Sequence, residues 1–102
     1  MTQQTITAEQ LMRDIYQAES AQRWFEQKYG LLSEIFYRLF KQGMLRDEDP
    51  NEIKEYLEWA GWVEIYQNRR TRYEKAIEQQ LKVLRTPASL LDLHINKLKV
   101  PA

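Results

Sequence analysis

The sequence has no cysteine and only one histidine among its 102 residues. The lack of cysteine excludes a disulfide framework, a thiol nucleophile and any cysteine-ligated zinc or iron–sulfur site. The single histidine nearly excludes catalytic triads and histidine-based metal clusters. Three glycines and three prolines are too few for a glycine-rich phosphate loop or for the many tight turns of a β-sandwich. Composition alone therefore removes the commonest catalytic frameworks.

Long apolar runs and net charge are also missing. The longest apolar stretch is a few residues, against the ~20 that span a bilayer, and the N-terminus lacks the segments of a signal peptide. Fifteen acids balance fifteen bases, and 43% of the residues are hydrophobic, as in an ordinary globular chain. We therefore expect one cytoplasmic domain that does not enter a membrane. Because a small elongated domain buries little surface, we also expect a protein partner or a homodimer.

The first helix has clear signals at both ends. Thr7-Ala8-Glu9-Gln10 matches the capping box S/T-x-x-E/Q, and Gly30 stands where a left-handed C-terminal cap is expected. Between these ends, small or apolar residues recur at alternating spacings of four and three, with Gln22 as the one polar member. This spacing is typical of a helix that packs along a coiled-coil-like seam, and it predicts a helix over residues 8–29.

A second, shorter helix is predicted over residues 33–42. Four apolar side chains form a dense face there, with Ser33 as N-cap and Gly43 at the end. The third helix begins with Asp49 as N-cap and Pro50 in its first turn. We expect it to run from residue 50 to about 85.

Breakers are nearly absent from this third helix. Gly61 is the one costly residue before Pro87, so Gly61 and the region of Asn68 are the places for a kink or break. Beyond Pro87, residues 91–96 alternate apolar and polar side chains, which favours an extended segment, although a short helix fits nearly as well. The sequence therefore predicts an all-α fold, a helical hairpin or three-helix arrangement with one long helix over residues 1–85. An extended or short helical tail follows over 86–102.

The zero net charge conceals a separation of charge along the third helix. Seven acids and one base lie between positions 47 and 64, whereas six bases and two acids lie between 66 and 85. This order complements the helix dipole, which is enough to account for it. An alternative is that Arg69, Arg70 and Arg72 contact nucleic acid, although the balanced total charge is unlike that of a dedicated nucleic-acid-binding domain.

Candidate catalytic groups are weak. Glu52, Glu55 and Glu58 share one helix at spacings of three, but helical carboxylate metal sites normally add a histidine in a Glu-x-x-His pattern. His94 is far away in the tail, and no serine has the glycine neighbours of a nucleophile elbow. We predict that the protein is not an enzyme and has no metal and no cofactor.

Aromatic residues are concentrated between positions 24 and 62, where nine of the twelve occur. A core between the three helices accounts for part of them. However, Trp24 adjoins Phe25 and Tyr37 adjoins Phe36, and neighbours on a helix point about 100° apart. One core cannot easily take both members of each pair, and Trp and Tyr are enriched at binding hot spots. We therefore predict a protein-binding surface that includes Trp24, Tyr37, Trp59 and Trp62.

One set of residues within 24–66 forms a pattern of its own. It consists of Phe25-Glu26-x-Lys28-Tyr29-Gly30, Phe36-Tyr37, Gly43, the acidic stretch Asp47–Asp49, Glu58-Trp59 and Tyr66. This pattern resembles a group of small helical bacterial and archaeal proteins of unassigned function. They are often encoded beside a small toxin and treated as its antitoxin. The resemblance implies a helical core and a segment that wraps and neutralises a toxin, for which the tail is the natural candidate because an extended peptide can add to a sheet edge.

Two functional hypotheses follow. The first is a non-enzymatic protein-binding protein, the antitoxin-like component of a toxin–antitoxin pair, whose tail contributes the partner-binding residues Leu91, Leu93, Ile95 and Leu98. The second is a small helical structural subunit of a larger assembly that binds RNA through Arg69, Arg70 and Arg72.

Overall fold

Four helices and two short strands form the chain in the computed structural model, which describes residues 5–46 and 48–101. Residues 1–4, Asp47 and Ala102 lie outside the described residues, and with them small parts of the predicted helical domain, the acidic stretch and the tail. The prediction of an all-α fold with one long helix is confirmed, and a small pair of strands is added to it. In chain order the elements are β1 (Thr5–Thr7), α1 (Ala8–Tyr29), α2 (Ser33–Lys41), α3 (Pro50–Lys82), α4 (Leu90–Leu93), a 3₁₀ turn (Ile95–Lys97) and β2 (Lys99–Pro101).

The ends of α1 are those that the sequence predicts. The Thr7 hydroxyl accepts from the backbone N–H of Gln10 at 3.2 Å, and the Gln10 side chain accepts from the N–H of Thr7 at 2.9 Å. At the other end Gly30 has a φ of 66°, a left-handed conformation that costs glycine little. The Gly30 N–H donates to the carbonyl of Glu26 at 2.8 Å and so closes the last turn.

The start of α2 differs from the prediction. Leu32 is the N-cap and makes no side-chain cap, whereas Ser33 is the first helical residue and is 5% exposed. The prediction that Ser33 caps this helix is therefore wrong. The physical reason is that a carboxylate from α1 does the capping, because Glu26 accepts from the backbone N–H of Ser33 at 2.8 Å.

The third helix starts as predicted and does not break. The Asp49 carboxylate accepts from the N–H groups of Asn51 and Glu52 at 2.9 and 3.4 Å. The helix then continues through Gly61 for 33 residues, a length of about 50 Å. It ends at Lys82 rather than near residue 85, and in the tightened final turn the carbonyl of Leu81 accepts from the N–H of Leu84 at 3.1 Å.

An antiparallel hairpin of α1 and α3 is the frame of the molecule. Lys28 near the end of α1 pairs with Glu55 near the start of α3, and Asp14 pairs with Arg69 at 3.3 Å further along. The core lies where α2 packs on this hairpin, and its buried members are Phe25, Phe36, Trp59, Ala60 and Val63. The hairpin is long and narrow, and the described chain measures 56 × 35 × 21 Å.

The tail folds back onto the start of α1. Strand β2 pairs antiparallel with β1, and Val100 lies opposite Ile6 and is only 6% exposed. The carbonyl of Leu98 also accepts from the N–H of Ala8 at 2.8 Å. Residues 91–96, for which the alternation favours an extended segment, instead follow the alternative of a short helix, in α4 and the 3₁₀ turn, and an extended segment occurs only after them at β2. The strand at residues 5–7, which receives the extended segment, was not predicted.

Candidate protein-binding surface

Trp59, one of the predicted partner-binding residues, is in the core. Its side chain is 1% exposed, and its ring stacks on Phe36 at 3.8 Å and on Phe25 at 5.5 Å between centroids. The indole N–H donates to the Ser33 hydroxyl at 2.8 Å, so its polar atom is satisfied inside the protein. The prediction that Trp59 belongs to a binding surface is wrong. The short turn after Gly30 brings α2 directly over this ring.

The other three predicted aromatic residues are exposed to different degrees. Trp24 is 55% exposed and lies edge-on to Phe25, with the Lys28 ammonium 5.3 Å from its ring centroid. Tyr37 and Trp62 are half-buried against the core. The Tyr37 hydroxyl donates to Glu64 at 2.9 Å, and this hydrogen bond raises the pKa of Tyr37. Trp24 is thus the one of these four whose ring stands largely free of the fold.

The predicted tail residues divide in the same way. Leu91 is 84% exposed, and its neighbour Leu90 is 70% exposed. Leu93, Ile95 and Leu98 are half-buried because the tail packs back on the hairpin. The tail therefore carries both an exposed aliphatic pair and residues that belong to the fold.

A groove of about 350 Å³ lies between the C-terminal half of α3 and the tail, and we call it the tail groove. Its apolar lining consists of Ala76, Val83, Leu98 and Val100. Its basic lining consists of Arg72, Lys75 and Lys99, and no carboxylate occurs among the described residues that line it. Val83 is 71% exposed at one end. The groove thus has both apolar and positively charged side chains in its lining.

The second groove lies between α1 and α3 on another side of the hairpin. Its first part, of about 330 Å³, is lined by Met12, Ile15, Tyr16, Glu19, Tyr66, Arg70, Tyr73 and Glu74. It continues into a hollow of about 340 Å³ beside the N-terminus of α2, because Glu19 and Tyr66 line both parts. We call the two parts together the hairpin groove. Tyr16 on its edge is 56% exposed.

The three arginines proposed for nucleic acid do not form one patch. Arg69 bonds Asp14 across the hairpin, and Arg70 bonds Glu74 at 2.9 Å, which raises the pKa of Arg70. Arg70 lines the hairpin groove, whereas Arg72 lines the tail groove. Arg69 and Arg70 are therefore paired with carboxylates of the chain, and Arg70 and Arg72 line different grooves.

The carboxylates of α3 act as hydrogen-bond acceptors for tyrosines. Glu55 accepts from Lys28 and Tyr29, and the hydrogen bond from Lys28 is the main reason why the pKa of Glu55 is lowered. Glu52 accepts from Tyr56 at 2.7 Å and raises the pKa of that phenol to about 12. Burial and the contact with Glu55 raise the pKa of Tyr29 as well. The contacts of Glu55 therefore join α1 to α3, whereas the hydrogen bond between Tyr56 and Glu52 lies within α3.

Apart from Leu98, Arg70 and Arg72, sequence reasoning did not single out the residues that line the two grooves as functional candidates. The sequence signal for a groove on this face of α3 was weak. Only two of the four residues at helical spacing are apolar, in the series Arg72, Ala76, Gln79 and Val83. Among the residues that the structure describes, no group of acidic or histidine side chains could hold a metal ion. Nor is any described helix both long and apolar enough to cross a membrane. Comparisons with protein-family models, curated proteins and solved structures find no match for this chain.

Proposed function

We propose that this chain is a non-enzymatic protein-binding protein that takes up an acidic segment of its partner in the tail groove. The observation that carries this proposal is the groove itself, which is lined by apolar Val83 and Leu98 together with basic Lys75 and Lys99. Apolar contact favours binding because it removes apolar surface from water, and the positive lining selects acidic partners and speeds their approach.

The tail also carries an exposed aliphatic pair, Leu90 and Leu91. Leu90 and Leu91 are 70% and 84% exposed, whereas Ile35 of α2 is 36% exposed. They follow α3 in the same tail that closes the groove. A partner bound against the tail would therefore gain apolar contact from this pair as well.

The resemblance of residues 24–66 to antitoxin-like proteins supports a more specific role. The partner would be a toxin encoded by an adjacent gene, and binding in the tail groove would neutralise it. Both proteins would act in the cytoplasm, a reducing compartment that suits a chain without cysteine.

RNA is the competing ligand for a basic groove. Single-stranded nucleic acid is usually held by aromatic side chains on which bases stack, and no aromatic residue occurs among the described residues that line the tail groove. Arg69 and Arg70 are already bonded to carboxylates. These observations favour an acidic protein segment over the RNA-binding assembly subunit.

Co-expression with the product of the adjacent gene tests the proposal. A tagged chain should recover this product in a stable complex, and Val83→Glu should remove it because the new carboxylate lies in the groove. Leu57→Glu is the matched control, since Leu57 is also an exposed aliphatic residue of α3, at 59%, but lies about 39 Å along the helix from Val83. Failure to form a complex, or a complex that Val83→Glu leaves intact, contradicts the proposal.

A gel shift with a labelled single-stranded RNA at low salt covers the alternative. We expect no shift. Binding that falls steeply with salt and is lost in Lys75→Glu would instead support the RNA-binding subunit.

A further inference from the structure

The C-terminal end of α3 extends beyond the helix that it packs against. The pair of Asp14 and Arg69 fixes the register of the hairpin, so α3 continues for about two turns past the start of α1 at Ala8. We call residues 76–85 the overhang. Within α3, Ile77 and Leu81 are spaced as i and i+4 and form an apolar stripe at the end of the helix, and Leu81 is 44% exposed.

The hairpin groove lies on the same face of α3 as this stripe. Arg70 and Glu74 line the groove, and the series 70, 74, 77, 81 has the alternating spacing of one helix face. Further along the hairpin, α2 already packs against the same two helices. The open part of the groove is thus a place where another helix can pack in the same way.

The charges of the groove and of the overhang are complementary. Near the N-terminus of α2 the groove has three carboxylates, from Glu19, Glu26 and Glu34, and one guanidinium. The overhang ends with Lys82 and Arg85 against a single acid, Glu78.

We infer that the hairpin groove binds the overhang of a second copy of this chain. The two α3 helices run antiparallel about a two-fold axis, so each copy supplies one overhang and one groove. The antiparallel direction carries the basic end of each overhang towards the acidic end of the other copy's groove, whereas a parallel direction would separate them. Leu81 is the central apolar contact.

This dimer leaves the tail groove open. Val83 follows Leu81 by two residues, which is a rotation of about 200° around the helix. The inference therefore does not depend on the proposed function, and each can fail without the other.

Sedimentation velocity over a concentration series tests the dimer. The wild-type chain should become dimeric within the micromolar range. Leu81→Glu places two buried charges in the symmetric interface and should weaken dimerisation at least about 100-fold. Leu91→Glu is the control, because Leu91 is 84% exposed and lies outside the hairpin groove, and it should dimerise like the wild type. A wild type that stays monomeric, or a dimer that Leu81→Glu does not weaken, overturns the inference.

A cross-link tests the arrangement and is independent of how Leu81→Glu folds. The chain has no cysteine, so Tyr16→Cys and Leu81→Cys each introduce a single thiol. Mixed and oxidised, the two variants should form a disulfide-linked heterodimer, and each variant alone should give far less product. A dominant cross-link between two Leu81→Cys chains would place the overhangs against each other and overturn the inference.

Discussion

The hydrogen bond between Trp59 and Ser33 should contribute measurably to the stability of the core. Its donor and acceptor are 2.8 Å apart, and the two residues are 1% and 5% exposed. Ser33→Ala removes only the hydroxyl and leaves a buried indole N–H without its partner. A buried unsatisfied donor costs about 1–3 kcal/mol, so we expect the free energy of unfolding to fall by about 2 kcal/mol. For a domain of this size, that lowers Tm by about 10 °C.

Urea unfolding followed by far-ultraviolet circular dichroism measures this change, because it reports on the helices and not on the tryptophans. Ser20→Ala is the matched control, since Ser20 is an exposed residue of α1 and loses the same atom without leaving a buried donor. We expect it to change stability by at most about 0.5 kcal/mol, the difference in helix propensity. Trp59→Phe completes a double-mutant cycle, with an expected coupling of about 1 kcal/mol. Equal effects of Ser33→Ala and Ser20→Ala would refute the reasoning.

Three further changes test the fold. The hydrogen bond from Lys28 lowers the pKa of Glu55 in the folded protein. The ionised Glu55 therefore stabilises the fold at pH values above the ordinary carboxyl pKa, and this stabilisation is lost as the pH falls through the lowered pKa. Glu55→Gln should therefore flatten the fall in Tm between about pH 5 and pH 3, and an unchanged slope would contradict this. An added Cβ would have open space at both Gly30 and Gly61, so only the backbone conformation distinguishes them. Gly30→Ala should lower the free energy of unfolding by about 1 kcal/mol because Gly30 has a φ of 66°. Gly61→Ala should leave it unchanged or raise it, because alanine is the better helix former. Deleting residues 86–102 should lower Tm but keep most of the helicity, and an unchanged Tm would show that the strand pair contributes nothing.

Local signals in the sequence were sufficient for the helices. A capping box at Thr7, a left-handed glycine at Gly30 and an Asp-Pro start at Asp49 each act within about one turn, so the bounds of α1 and the start of α3 could be predicted from neighbouring residues. Gly61 did not break α3, because packing of the flanking Trp59, Ala60 and Val63 in the core outweighs the ~1 kcal/mol cost of glycine in a helix.

Contacts between distant residues account for what the sequence did not predict. The capping of α2 depends on Glu26 of α1, and the strand at residues 5–7 exists because β2 arrives from the other end of the chain. Three residues are too few for a periodic pattern, so neither strand could be recognised alone. Trp59 was placed on the surface for the same reason, because its burial depends on how α2 crosses α3.

The separation of charge along the sequence does not show how the charges are distributed around α3. In three dimensions the bases of α3 are divided between sides of the helix, with Arg70 in the hairpin groove and Lys75 in the tail groove. Leu81 of the overhang and Val83 of the tail groove are only two residues apart in sequence but about 200° apart around the helix. Leu81→Glu should therefore abolish the dimer and leave partner binding unchanged, and Val83→Glu should do the reverse. If either variant lost both activities while keeping its helicity, the two grooves would have to act as one surface, and the assignment of separate roles to them would be wrong.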